Sequence, residues 1–529
     1  MGDKKMTESQ QQSQHQKELH ARLWEMANDL RGNMEAYEFK NYILGMIFYR
    51  YLSDKTTAFV EKLLEEDEVD YRGAFNDEEY KENLIEEMLE SLGFVIEPDD
   101  LFSEMVKKVE NNSFDIEDLH EAINSLTEST LGRPSQDAFE GLFDDMDLSS
   151  TKLGKDVSTR SKLMAKIISA IDSIEFGIDE TSIDVLGDAY EYLIGQFAAN
   201  AGKKAGEFYT ATGPAELLCR LTTIGLKDVL SAADPTCGSG SLLLRLNKYA
   251  NVRTFFGQEL TSTTYNLARM NMILHGVPYQ NFTIYNGDTL EEDHFEENKF
   301  RIQVANPPYS AKWSADKKFE QDERFSVYGK LAPKSKADFA FLQHMIYHMD
   351  DDGRIAILLP HGVLFRGAAE EKIRRYIIEE QNYLDAVIGL PANLFFGTSI
   401  PVCILVLKKD RADNKDNIFF IDASKEFESG KNQNRLRRED INKIVDTYIK
   451  REDVEKYAHK ATMDEIAEND FNLNIPRYVD TFEEEPEVDL DKEFEALAEC
   501  MRKSDEIDER LDEYFEELGL GGFKAGEMA

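Results

Sequence analysis

Val229-Leu230-Ser231-Ala232-Ala233-Asp234-Pro235-Thr236-Cys237-Gly238-Ser239-Gly240-Ser241-Leu242 reads as a short apolar strand that enters a glycine turn and then opens a helix. Glycines let such a turn pass close to a ligand, and the N–H groups at a helix start face an anionic group such as a carboxylate. The turn alone does not choose a ligand, because glycine-rich strand-to-helix turns also serve dinucleotides or simply close a loop.

Working outward, further short apolar runs alternate with helical stretches at Thr254 to Gly257, Phe282 to Tyr285, Ile302 to Ala305, Ile355 to Leu359, Leu384 to Ile388 and Val402 to Leu407. That alternation predicts an α/β fold with a Rossmann-like doubly wound sheet and right-handed crossovers. Ligands in such sheets sit at the carboxyl ends of the strands near the switch point. Asp234, Glu259, Asp288 and Asn306 fall at the ends of four successive predicted strands. The arrangement suits a nucleoside-type cofactor.

Glu259 lies 19 to 21 residues after Gly240 and Gly238, and an acidic residue about 20 residues beyond a glycine turn can accept both ribose hydroxyls. Asp288, followed by Thr289, can accept from an adenine amino group, although a surface turn explains it nearly as well. Asn306-Pro307-Pro308-Tyr309 is the sharpest signal. Two prolines fix φ and remove two N–H donors, so the Asn306 side-chain oxygen and the Pro307 carbonyl can both accept from one NH2 group. Accepting both hydrogens drives that nitrogen towards tetrahedral geometry and frees its lone pair for attack on a methyl group. Tyr309 would stack on the purine flipped out of a duplex. Positioning and polarisation carry such a reaction, with no strong general base. Upstream, Glu207-Phe208-Tyr209-Thr210-Ala211-Thr212 brings an aromatic pair that can cover the cofactor.

The rest of the chain frames this core. Residues 1–16 read as a disordered N-terminus, 17–155 as a helical domain, 156–205 as a helical connection, 206–475 as the methyltransferase domain and 476–529 as an acidic helical tail that contacts a subunit. Leu490, Phe494, Leu497 and Met501 fit one apolar stripe of the tail; packing back on the chain's own N-terminal helices is an equal alternative. Beyond Lys408 the sequence reads as a charged stretch rich in Asn, Lys and Asp. There is no P-loop motif, no run of about 18 apolar residues and no secretory signal. Cys219, Cys237, Cys403 and Cys500 are dispersed, which fits a reducing cytoplasm and no metal site. With 61 Lys and Arg against 103 Asp and Glu, the net charge is −42. A chain this acidic repels DNA at long range, so another subunit must supply positive surface if DNA is the substrate.

These elements, in this order, resemble the amino-methyltransferase superfamily and, within it, the modification (M) subunits of type I restriction–modification systems. Phe208-Tyr209-Thr210 ahead of the glycine turn is the order of the γ class. Leu186 to Leu193, Leu358 to Phe365, Ile388 to Pro391 and Phe395 to Thr398 are similar to runs in these subunits. The resemblance implies S-adenosyl-L-methionine as cofactor and N6 of adenine in DNA as acceptor. It also implies two M subunits around one specificity (S) subunit, with a restriction and translocation (R) subunit. On this basis Asn306, Pro307, Pro308 and Tyr309 are the catalytic candidates. Glu207 to Thr212, Asp234, Cys237 to Ser241, Glu259, Asp288 and Thr289 are the cofactor candidates. Two departures, Ala211 where many relatives have Pro and Ser241 where many have Gly, bear on loop stiffness and cofactor affinity. Cytosine N4, a protein glutamine, an RNA base, or a non-enzymatic cofactor-binding subunit are the competing readings.

Overall fold

The computed structural model describes residues 19–28, 34, 36–67, 69–174, 182–200, 210–395, 398–430, 433–481 and 490–520. Residues 1–16 lie outside them, as do Glu207, Phe208, Tyr209, Phe396 and Gly397 among the residues singled out above.

One nine-stranded sheet organises the catalytic part, in the order β3-β2-β1-β4-β5-β7-β6-β8-β9. Its strands are β1 (Asp228–Asp234), β2 (Asn251–Glu259), β3 (Phe282–Asn286), β4 (Phe300–Ala305), β5 (Met349–Pro360), β6 (Leu384–Gly389), β7 (Val402–Lys408), β8 (Asn417–Asp422) and β9 (Ala458–Thr462). Strands β3, β2, β1, β4 and β5 are mutually parallel, whereas β7 runs antiparallel between β5 and β6. The chain moves from β1 outward to β3 and then returns to place β4 on the other side of β1. The switch point therefore lies between β1 and β4, where strand ends diverge and leave a crevice.

All seven apolar runs read from the sequence are strands. Strands β8 and β9 are a correction, since the region after Lys408 read as a charged stretch. Asn417-Ile418-Phe419-Phe420-Ile421 is buried throughout, but charged flanks dilute its signal. Ala458-His459-Lys460-Ala461-Thr462 is a polar edge strand that gains its identity only from pairing with β8.

The N-terminal part is helical. In the helix Ala36–Leu63 nearly every apolar residue from Tyr42 to Tyr51 is buried, as an all-round apolar helix requires. This part packs on the sheet's helical layer through polar contacts: Tyr51 donates to the Ile273 carbonyl at 3.1 Å, and Arg269 donates to the Asp137 and Glu140 carbonyls at 2.8 and 2.9 Å. Residues 1–480 form one compact unit and 481–529 a second. Within the second, the helix Leu490–Glu517 buries none of its residues. Among the described residues no helix is long and apolar enough to cross a membrane.

Candidate active site

The parallel register sets the site. Asp234 pairs with Gly257, Glu259 with Asn286 and Ala233 with Gln303. The ends of β1 to β4 therefore lie level, and Asp234, Glu259, Asp288 and Asn306 share one rim of the sheet.

The glycine turn is held on that rim by its neighbours. Gly238 and Gly240 take φ of +54° and +75°, which only glycine adopts at little cost. The Cys237 N–H donates to the Gln258 carbonyl at 3.1 Å and the Gly238 N–H to Glu259 Oε2 at 3.1 Å. A Cβ on Gly257 would stand 2.9 Å from Cys237 Sγ, so the turn nests directly on β2. Ser239 and Ser241 hydroxyls pair with each other at 3.0 Å, and Asn271 Nδ2 donates to the Ser239 carbonyl at 2.9 Å. These two hydroxyls therefore stiffen the turn from within. Thr289 likewise turns inward, its hydroxyl donating to the Pro235 carbonyl at 2.5 Å. Asp288 is half-buried, and its Oδ1 accepts from the Leu290 N–H at 3.0 Å.

Asn306 directly follows β4. Its Nδ2 donates to Thr210 Oγ1 at 3.2 Å, which orients Oδ1 to the opposite side, where the Tyr309 hydroxyl donates to it at 2.7 Å. The Tyr309 ring packs edge-on against Phe395, with centroids 6.0 Å apart. Thr210, Ala211 and Thr212 lead into the helix Thr212–Thr223, so the start of that helix touches the Asn306 end of the rim.

Burial pushes the Asp234 carboxyl up to about 7; the Thr236 N–H and hydroxyl oppose this, and the nearby Glu259 adds to it. Burial, with Glu259 and Asp234 close by, holds the Cys237 thiol well above its ordinary range. Burial also raises the Tyr309 phenol. Three carboxylates on one rim make a field that favours a cation.

Four polar residues that the sequence reading did not single out support the site. Asn271 is fully buried, and its place within Met270-Asn271-Met272-Ile273-Leu274 was the available signal. Arg324 donates to the Thr289 and Leu290 carbonyls at 2.9 and 3.1 Å and pairs with Asp322 at 2.8 Å, clamping the Asp288 turn. Asp338 and Arg366 brace the segment after Tyr309. Nearby, Asp293, His344 and His348 bring ligand-type atoms within 4.8 Å of one another. Arg324 Nη1 lies 3.2 Å from His344 Nδ1, so a guanidinium supplies the positive charge there and the cluster belongs to the same clamp. Burial alone would raise the Asp293 carboxyl, but the hydrogen bond from His348 and the charges of His344, His348 and Arg324 outweigh it and bring it down to about 2.

Comparison with known proteins follows the same lines. Residues 181–487 match the N-6 DNA Methylase family, and residues 19–171 match the HsdM N-terminal domain. The chain is 39% identical over 522 residues to the type I restriction enzyme MpnII methylase subunit of Mycoplasma pneumoniae, covering 94% of this chain and 95% of the relative. It is 30% identical to the MjaVII methylase subunit of Methanocaldococcus jannaschii, covering 91% and 81%. The crystal structure of the type I restriction-modification system methyltransferase subunit from Streptococcus thermophilus superposes with a TM-score of 0.81 at 46% identity, covering 88% of this chain and 99% of that one. The chain thus belongs to the N-6 DNA methylase family and, within it, to the methylase subunits of type I restriction enzymes, and it is an adenine-specific DNA methyltransferase.

Proposed function

We propose that the rim binds S-adenosyl-L-methionine and that Asn306, Pro307, Pro308 and Tyr309 present N6 of a flipped adenine to it. The observation that carries this reading is the side-chain orientation of Asn306. Thr210 engages Nδ2, so Oδ1 is the acceptor that the amide turns to its other side, on the same rim as Asp234, Glu259 and Asp288.

The donor set fits the cofactor. Glu259 would take the ribose hydroxyls, Asp288 Oδ2 the adenine amino group, and the Gly238 to Ser241 turn with Asp234 the methionine end. Glu207, Phe208 and Tyr209 are assigned to the same ligand from their place in the sequence. When bound, the cofactor supplies an electrophilic methyl group on a sulfonium, and the three carboxylates suit its positive charge. Asn306 Oδ1 and the Pro307 carbonyl each accept one hydrogen of the target amine, which localises the lone pair on nitrogen. Tyr309 supplies the aromatic face for the base. Preorganised acceptors of this kind cost no reorganisation as charge develops on the amine.

The chain's net charge of −42 supports a division of labour in which a separate S subunit carries DNA recognition and positive surface. Two copies of this chain with one S subunit would methylate host DNA at one split motif and protect it from the R subunit. The test is base-modification sequencing of DNA from cells carrying the native operon, with the wild-type chain or N306A. N6-methyladenine at one motif, lost in N306A, is the expected result. An unchanged pattern would remove Asn306 from the mechanism. No motif in cells where the chain is expressed and assembled would overturn the reading of one split motif directed by an S subunit.

A further inference from the structure

Ser310, the residue directly after Tyr309, has φ of +51°. A residue with a Cβ is strained in that region and persists there only when its surroundings hold it. The left-handed step reverses the chain as it leaves the Asn306-Pro307-Pro308-Tyr309 segment: the Ala311 N–H reaches back to the Pro308 carbonyl at 3.3 Å, and the Ala337 N–H donates to the Ala311 carbonyl at 2.9 Å. The direction in which Tyr309 and the prolines face the rim therefore depends on Ser310 keeping this conformation.

Asp338 holds it. This carboxylate is 1% exposed, and Oδ1 accepts from the Ser310 N–H at 2.7 Å, while Oδ2 accepts from Arg366 Nη1 at 2.9 Å and lies 3.5 Å from Ser310 Oγ. Asp338 stands in the first turn of the helix Asp338–Tyr347, yet no side chain caps that helix at Ala337; the carboxylate serves the loop instead. Arg366 comes from the segment after β5 and also pairs with Glu370 at 3.0 Å. Its own backbone carbonyl is held by Arg374 at 2.9 Å. A Cβ on Gly362 would overlap the Arg366 guanidinium, so glycine there leaves the guanidinium its place.

We propose that Asp338, oriented by Arg366, is a positioning residue for methyl transfer: it locks Ser310 in the left-handed turn that aims the catalytic segment. The proposal rests on the reading of Asn306 to Tyr309 as that segment. An ordinary buried ion pair would stabilise the fold whatever residue stood at position 310. A lock on backbone conformation becomes dispensable once residue 310 adopts positive φ without strain, as glycine does.

The test is a double-mutant cycle on the assembled modification complex purified with its native partners, comparing wild type, D338N, S310G and D338N/S310G. Asparagine cannot accept from both Ser310 N–H and Arg366, because one of its two terminal atoms is a donor. D338N is expected to lower kcat about 5- to 30-fold, the factor set by a strained residue's preference, with KM for S-adenosyl-L-methionine unchanged. In the S310G background the same substitution is expected to cost less than about twofold, the non-additivity of groups acting through one contact. Equal losses in both backgrounds, or no loss in D338N, overturn the lock. D338A, with thermal unfolding measured alongside, repeats the comparison if D338N assembles poorly. N306A is assayed in parallel: if it stays active, the reading of the catalytic segment fails. An inactive N306A beside an unslowed D338N removes the lock alone.

Discussion

The Tyr309 hydroxyl donates to Asn306 Oδ1 at 2.7 Å, so the oxygen assigned to the target amine is capped by the protein's own phenol. A base entering the site must displace that hydroxyl. Y309F removes the competitor and keeps the ring, and is expected to retain kcat with a lower KM for DNA. Y309A loses the stacking face, worth about 1–3 kcal/mol, and should lose about 5- to 150-fold in kcat/KM at ~1.4 kcal/mol per tenfold. Steady-state kinetics with a duplex carrying the methylated motif of the native complex separate the two.

Thr210 sets which way the Asn306 amide faces. T210V keeps the shape and removes the acceptor for Nδ2, so the amide is free to flip. A hydrogen bond contributes about 0.5–1.5 kcal/mol net, and kcat is expected to fall by about two- to twelvefold. Unchanged kcat in T210V would show that Asn306 is oriented by other contacts.

Cofactor affinity should weaken in mild acid. Burial raises the Asp234 carboxyl from 3.8 to about 7. The folded value lies above the unfolded one, so the stability this group contributes is full below pH 3.8 and is lost as pH rises through about 7. A bound cation favours the ionised carboxylate and therefore pulls in the other direction. Calorimetric titration should give a Kd for S-adenosyl-L-methionine about tenfold weaker at pH 6 than at pH 8. D234N should flatten that profile; a flat wild-type profile would separate Asp234 from the cofactor.

Arg324 is 5% exposed and holds the Asp288 turn by two carbonyls. R324M leaves Asp322 and Asp293 without their guanidinium. Breaking a buried pair costs about 3–5 kcal/mol; because Asp322 is partly exposed, a loss of about 3 kcal/mol is expected, with R324K milder. Denaturant unfolding measures the loss, and S-adenosyl-L-methionine titration of R324K tests whether the loosened turn also weakens binding.

The tail should be separable. The helix Leu490–Glu517 buries none of its residues and leaves Phe494, Leu497 and Met501 more than half exposed. Truncation after residue 481 is expected to leave the thermal midpoint of the first unit within about 2 °C, while co-purification with the S subunit is lost. Retained co-purification would place the subunit contact elsewhere.

The strand runs from Val229 to Leu407 and the order of Phe208, Gly238, Glu259, Asp288 and Asn306 were legible because each is local: a run of apolar residues ends in one polar residue, and strand ends in a parallel sheet meet on one rim. The sequence by itself thus determined the fold class and which polar residues end the first four strands. It could not determine strand β9, whose Lys460 and Thr462 carry no strand pattern without β8 beside them. Nor could it reveal that Ser239, Ser241 and Thr289 turn their hydroxyls inward, since hydroxyl direction depends on partners 2 to 54 residues away. Asp338 reaching Ser310 across 28 residues and Arg324 reaching Thr289 across 35 were likewise decided by the tertiary structure. A buried charge is stable only against a specific partner, and which segments become partners is settled when the chain closes on itself.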